Sequence, residues 1–265
     1  MAARSIWKGS VGFGLVNVPC KLYSATDEKG IHFNQIHKGC KARINLVKRC
    51  SACGEEVSEK LGNLIKGFEV NKGEYVLMEE ADFLNVPVKT LKGVEILAFV
   101  DAGKVDPRHF EKSYFLAPED KLGTKAFSLL LQAMEKVGKV GIVKLTYRER
   151  EHLAMIRPFG KVLLLQTLFY TDELRPSSEV EVALPQVSDK ELAMGIMLLQ
   201  TLEVGDIDLS QYKDGYEEAL RAVIQAKLEG KTIQAVPEEQ KPATDDLVAA
   251  LMASLKDKHP AGVGA

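Results

Sequence analysis

Val140-Gly-Ile-Val-Lys-Leu-Thr-Tyr147, then Leu153-Ala-Met-Ile-Arg157, then Val162-Leu-Leu-Leu-Gln-Thr-Leu-Phe169: three β-rich runs follow one another with no helical stretch between them. In the first run Val143, Leu145 and Tyr147 fall on one parity, while Lys144, Thr146, Arg148 and Arg150 share the other. That is the pattern of a strand with one face in a core. The polar Glu149-Arg-Glu-His152 stretch reads as the turn into the next strand.

Further strand-like runs lie outward at 75–78, 94–100 and 114–117, with the turn signal Asn71-Lys-Gly73 ahead of the first. Near the N-terminus, Ser10-Val-Gly-Phe-Gly-Leu-Val16 sets Val11, Phe13 and Leu15 on one face and Gly12 and Gly14 on the other, which reads as a strand closely crossed by another backbone. Many short strands without regularly alternating helices predict an antiparallel barrel or sandwich, not a doubly wound parallel sheet. One helix interrupts them over 124–137, where Ala126, Phe127, Leu130, Met134 and Val137 form a stripe that ends at Gly138, and it is expected to plug or flank the barrel. The fold class is thus mainly β with α, an α+β chain, with the β domain expected over 1–187.

After Pro185 the pattern changes. Ser188-Asp-Lys-Glu191 is a capping box that opens a helix running to about 202, and a second helix is expected over 212–229, stopping at Gly230. Residues 188–235 therefore read as a helical arm that packs on its own domain or on a second copy. Residues 236–243, VPEEQKPA, form a linker, and Thr244 caps a short amphipathic helix carrying Leu247, Val248, Leu251, Met252 and Leu255 on one face. Three turns are marginal alone, so this stripe implies a docking surface, on this protein or on a partner.

The net charge of −2 hides a polarised chain. Residues 1–60 hold ten Lys/Arg against five Asp/Glu, residues 139–170 six against two, and residues 171–265 nine against eighteen. A basic surface from the first and middle parts would bind phosphate, unless the charges are merely solvated strand faces. No stretch has the length or apolarity of a membrane span or a secretory leader, so a cytoplasmic location is expected.

The sharpest local chemistry is His37-x-x-Cys40 followed by Cys50-x-x-Cys53. Two such knuckles would fill a tetrahedral zinc shell with three thiolates and one imidazole and leave no position for a reacting water, so the expected Zn2+ is structural. The other reading is a redox pair with an ordinary surface histidine; it would want a helix N-terminus in a βαβ setting, which the sequence lacks. Cys20 stands outside the pattern. Between the knuckles Lys41, Arg43, Lys48 and Arg49 are candidate phosphate contacts, with Arg43, Asn45 and Arg49 on one strand parity. Lys144, Arg148 and Arg150 join them by the same logic. No catalytic residue is assigned: there is no Walker loop, no HExxH, no GxSxG, and Gly12-Phe-Gly14 lacks the strand-turn-helix context of a dinucleotide fingerprint.

Several stretches then match a known pattern. Arg4-Ser-Ile-Trp7-Lys8-Gly-Ser10, with Phe13-Gly-Leu-Val-Asn17-Val-Pro19 and Lys21-Leu-Tyr23-Ser24-Ala25, resembles the N-terminus of prokaryotic Ku proteins. Lys66-Gly-Phe-Glu69 with Lys72-Gly-Glu-Tyr75, Asp106-Pro107 with Tyr114-Phe-Leu-Ala-Pro118, and Arg148-Glu-Arg150-Glu-His-Leu153 with Ile156-Arg157-Pro158 continue the resemblance. It extends through Tyr212-Lys-Asp214-Gly-Tyr216 and Ala226-Lys-Leu-Glu-Gly230-Lys, covering residues 3–235 in order. The resemblance implies a β-barrel core whose homodimer closes into a ring around duplex DNA, and binding of double-stranded DNA ends in non-homologous end joining. It also implies recruitment of an ATP-dependent multifunctional DNA ligase, with no enzymatic activity of the chain's own and a place at the nucleoid. Lys8 and Arg157 join the candidate DNA contacts on this ground. A zinc-ribbon scaffold for nucleic acid without preference for ends is the rival reading, and a metal-dependent hydrolase a more distant one.

Overall fold

The computed structural model describes residues 3–27, 29–86, 93–147 and 150–231. Its strands are β1 (Trp7–Phe13), β2 (Val16–Ser24), β3 (Lys66–Asn71), β4 (Glu74–Met78), β5 (Gly93–Val100), β6 (Phe110–Pro118), β7 (Val140–Tyr147), β8 (Arg150–Phe159) and β9 (Val162–Leu168). Seven of them close into a barrel in the order β1-β2-β6-β9-β8-β7-β5. In a closed ring an odd number of strands cannot alternate in direction throughout. One neighbouring pair must run parallel, and it is β5 against β1, with Val94 opposite Val11, while every other barrel pair is antiparallel.

Alternation fills the barrel. Val11 on β1, Val18, Cys20 and Leu22 on β2, Val94 on β5, Leu116 on β6, Val143 and Leu145 on β7, Ala154 and Ile156 on β8, and Leu163 and Leu165 on β9 form one buried cluster. Each large member contributes roughly 1.5–3 kcal/mol by leaving water. Burial also pushes the Cys20 thiol up to about 12, so this cysteine acts as a small apolar side chain. A second cluster of Val140, Met155 and Leu168 lies on the opposite parity of β7–β9, with Val100, Phe110 and Leu153 packed on it.

The helices are α1 (Glu80–Leu84), α2 (Lys121–Val137), α3 (Asp189–Leu202) and α4 (Gly215–Leu228). α2 starts three residues before the expected 124 because Asp120 is its cap, accepting from the Gly123 N–H at 2.8 Å; the helix ends at Gly138, whose φ of 66° is left-handed. Phe127, Leu130, Leu131 and Met134 join the barrel core, so α2 covers the barrel end from which β6 leaves. Val137, expected on that stripe, is exposed.

The N-terminal run differs from its reading. Gly14, at φ +59°, and the fully exposed Leu15 form the β1–β2 turn, so Leu15 does not share a face with Val11 and Phe13. A Cβ on Gly12 would meet only the Val94 carbonyl, at an ordinary 3.9 Å, and no close crossing exists there. The tight approach is at Gly141, where a Cβ would lie 2.9 Å from Ile156 Cγ1.

The chain divides into two compact units, residues 1–177 and 178–265. Within the second, Ser188 opens α3 through the expected capping box, its N–H donating to Glu191 Oε2 at 2.7 Å and its hydroxyl accepting from the Glu191 N–H at 3.3 Å. α4 begins at Gly215 under the Asp214 cap, because Leu209–Gln211 form a 3-10 turn and Tyr212 ends it with non-helical backbone. Neither helix buries a residue. Leu247, Val248, Leu251, Met252 and Leu255 lie outside the described residues, as does Arg148. Among the described residues no helix is long and apolar enough to cross a membrane.

Candidate metal centre and nucleic-acid interface

The two knuckles are built alike, bond for bond. In the first, Lys41 N–H donates to His37 O (2.9 Å), His37 N–H to Ala42 O (2.8 Å) and Ile44 N–H to Gln35 O (3.1 Å). In the second, Gly54 N–H donates to Cys50 O (2.9 Å), Cys50 N–H to Glu55 O (2.9 Å) and Val57 N–H to Lys48 O (3.0 Å). The residue after each second candidate ligand is left-handed, Lys41 at φ 61° and Gly54 at φ 72°. Glycine adopts that conformation freely, whereas lysine is strained there, so the turn geometry and not the side chain fixes position 41.

Each knuckle gathers its own pair. His37 Nδ1 lies 3.0 Å from Cys40 Sγ, and the Cys50 thiol is held below its usual range by the Cys53 backbone N–H, then by that of Ala52 and by the Cys53 side chain. The donors, three sulfurs and an imidazole, suit zinc in kind, and each pair suits it in spacing. Among the described residues no group of three or more His, Cys, Asp or Glu side chains is placed to hold an ion, so convergence of the two pairs on one zinc is a matter for proposal. The segment between the knuckles is not a strand. Its only ladder contacts among the described residues are the isolated bridges Ile36–Arg43 and Arg49–Glu56, so the expected strand parity of Arg43, Asn45 and Arg49 does not apply. The Arg43 guanidinium donates to the Asn34 side chain.

The candidate cations fall into two groups. Some are ion-paired on the barrel: Lys8 Nζ lies 3.0 Å from Glu119 Oε1, and Lys144 Nζ lies 2.7 Å from Glu151 Oε1. These contacts hold the Glu119 carboxyl below its usual range, with Lys8 the larger cause and Lys21 the smaller, and push the Lys144 ammonium up through Glu151. Among the described residues no carboxylate lies within ion-pairing distance of Lys41, Lys48, Arg49, Arg150 or Arg157.

Two features were missed in the sequence. Lys21 shares the Glu119 carboxylate at 3.4 Å, because the register of β2 on β6 sets Lys21 opposite Ala117 and Cys20 opposite Pro118, one residue before Glu119. A carboxylate about a hundred residues away in sequence gives no local signal of this. Of the ribbon β3–β4 the sequence pattern predicts only the second strand. Phe68 and Val76 are paired across it and both are exposed, so burial periodicity does not mark it.

Comparison with known proteins gives a consistent result. Residues 12–194 match the Ku70/Ku80 beta-barrel domain. The chain is 40% identical over 257 residues to a non-homologous end joining protein Ku of Desulfitobacterium hafniense, covering 95% of this chain and 87% of that protein. It is 38% identical over 255 residues to the protein of the same name from Archaeoglobus fulgidus, covering 96% of this chain and 98% of the other. The protein of that name from Bacillus subtilis is 38% identical, over 95% of this chain and 81% of its own length.

Proposed function

The chain belongs to the Ku β-barrel family, and on that premise we propose that it binds the ends of double-stranded DNA in non-homologous end joining, as a homodimer that encircles the duplex and recruits an ATP-dependent multifunctional DNA ligase. The observation that carries this reading is the similarity along 95% of the chain to proteins whose names state the process. The cations Lys41, Lys48, Arg49, Arg150 and Arg157, which have no ion-pairing carboxylate among the described residues, suit phosphate contacts that hold DNA without reading bases. Arg43 belongs with them through the knuckle it sits on, and Arg148 through its sequence pattern. Lys8 and Lys144 would first exchange a carboxylate for a phosphate.

Dimerisation is supported by the second unit: α3 and α4 bury no residue, and Leu192, Leu199, Leu209 and Tyr216 are all more than half exposed. Isolated helices of 14 residues are marginal in water, so this unit wants a partner surface, and a second copy supplies one. His37, Cys40, Cys50 and Cys53 would hold a structural Zn2+ that fixes the knuckle cations in place. Leu247, Val248, Leu251, Met252 and Leu255 would dock the ligase. The protein acts by binding, without a reaction of its own, in the cytoplasm at the nucleoid.

The deciding experiment compares linear duplex with the same sequence as a covalently closed circle. Binding to the linear form alone is expected, and equal capture of both would favour a zinc-ribbon scaffold indifferent to ends. About one zinc per chain is expected by elemental analysis, falling on Cys53→Ser. Deleting residues 236–265 should abolish ligase stimulation and spare DNA binding.

A further inference from the structure

The end of the barrel away from α2 is open. There β2 and β7 end and β6 and β8 begin, around a cavity of about 700 Å³, within the ~300–1,000 Å³ range of small-molecule sites. Its floor is aromatic. Tyr114 and Tyr147 pack on the barrel core with ring centroids 6.5 Å apart at 62°, and the His152 ring lies 6.4 Å from Tyr147 at 48°. These rings rest on filled core and cannot retreat when something lies on them.

The walls are fixed by hydrogen bonds. The hydroxyl of Thr167, a residue only 4% exposed, accepts from the Lys112 N–H at 3.1 Å and donates to Glu111 Oε2 at 3.1 Å, pinning that carboxylate. Ser24 donates to Thr26 O at 2.7 Å and Ala25 N–H to Ser113 O at 3.2 Å, so the segment leading to Asp27 is tied to β6. Lys112 and Arg150 put two cations on the same cavity.

A bare anion would meet the carboxylates of Glu111 and Asp27, and an aliphatic ligand would offer them no hydrogen bond. A flat π-faced ring with a hydrogen-bonding edge and one attached phosphate uses every feature. We propose that the barrel mouth receives a single unpaired nucleotide, its base against Tyr147 and His152, its donor edge toward Glu111 and Asp27, and its phosphate on Arg150 and Lys112. This rests on the DNA-end reading, because Arg150 is among the cations assigned to backbone phosphate. The same chemistry fits a free nucleoside monophosphate and the last nucleotide of a single-stranded extension.

The test uses the full chain with three probes: a blunt duplex, the same duplex with one extra 3′ 2-aminopurine nucleotide, and free 2-aminopurine deoxynucleoside monophosphate. Stacking of one base on aromatic side chains predicts that the extended duplex binds at least about fivefold tighter than the blunt one, with a change in 2-aminopurine emission. His152→Ala should remove that advantage and leave blunt-duplex affinity unchanged, and Asp27→Ala should do so in part. An emission change with the free nucleotide alone would keep the site and assign it the free ligand. Equal affinity for extended and blunt duplexes, with unchanged emission for both 2-aminopurine probes, would overturn the proposal while leaving end binding intact. Failure to bind any duplex would remove the underlying reading and the proposal together.

Discussion

Replacing Glu119 by Gln removes one negative charge from a cluster that otherwise holds two positive ones. Its Oε1 lies 3.0 Å from Lys8 Nζ and 3.4 Å from Lys21 Nζ, so the cluster's net charge rises from +1 to +2 and both ammonium groups lose their fixed anion. Because glutamine keeps the shape, the change is electrostatic. If this face of the barrel lies along DNA, each lysine released to a phosphate steepens the plot of log affinity against log salt by about 0.9. One new contact makes binding fall about 3.5-fold more between 50 and 200 mM salt, and two make it fall about 12-fold more. Fluorescence anisotropy with a linear duplex at several salt concentrations measures the slope directly, and Lys8→Ala in the Glu119→Gln background should return about half of the gain. A slope identical to that of the parent would refute the reasoning: Lys8 and Lys21 would face solvent, and the DNA path would have to be drawn through the other assigned cations.

Three further outcomes follow from the core and the surface. Gly141→Ala places a Cβ 2.9 Å from Ile156 Cγ1, inside a strand pair that cannot move away; a loss of roughly 1–3 kcal/mol is expected from overpacking, read as a lower urea midpoint at unchanged slope. The Asp106 carboxyl is lowered to about 2, chiefly by the Arg108 side chain. A carboxyl depressed in the folded state adds stability above its ordinary unfolded value of about 3.9, and that stability is lost as pH falls toward about 2. Asp106→Asn should therefore flatten the melting temperature across that window, and parallel curves for the two proteins would contradict the assignment. Finally, Cys20 is fully buried, whereas Cys40 and Cys53 are exposed and Cys50 partly so; in the presence of a chelator, maleimide at pH 8 should label those three and spare Cys20 until the chain unfolds, as followed by mass spectrometry.

The barrel was readable where alternation reports burial. Val143 and Leu145 face the core and Lys144 faces away, as parity in β7 requires; in β8 Ala154 and Ile156 face the same core, but Met155 between them is buried in the second cluster, so burial there does not alternate. Parity fails where the chain reverses without breaking its pattern: Leu15 keeps the apolar beat of Val11 and Phe13 but sits in the turn. It also fails on β3, whose six residues are all exposed. The helix starts were legible only where the capping residue itself was recognised. Ser188 announced α3, whereas Asp120 and Asp214 moved the starts of α2 and α4 by three residues each from the expected 124 and 212. In the knuckles, spacing finds each ligand pair because four successive residues close one turn, but nothing in spacing sets the distance from one turn to the next.

The least legible property was the one that bears most on DNA. Counting charges treats Lys8 and Lys144 as free cations, yet strand pairing sets Glu119 and Glu151 against them. Such pairs do not remove the cations from use. The four side chains are 31–62% exposed, so their attraction is screened and weak, and a phosphate that carries a full charge and sheds counterions on contact can displace the carboxylate. On the proposed reading the exchange would happen only where a duplex presents many phosphates in register with the cations, and elsewhere the carboxylates would keep the surface near neutral. A chain of net charge −2 could in that way grip DNA of any sequence in its path and still avoid holding other polyanions. On this account neutralising both carboxylates, Glu119→Gln with Glu151→Gln, should raise affinity for covalently closed circles and for RNA by a larger factor than affinity for linear duplex ends. A uniform gain across all three would mean that the carboxylates only weaken the grip and do not select.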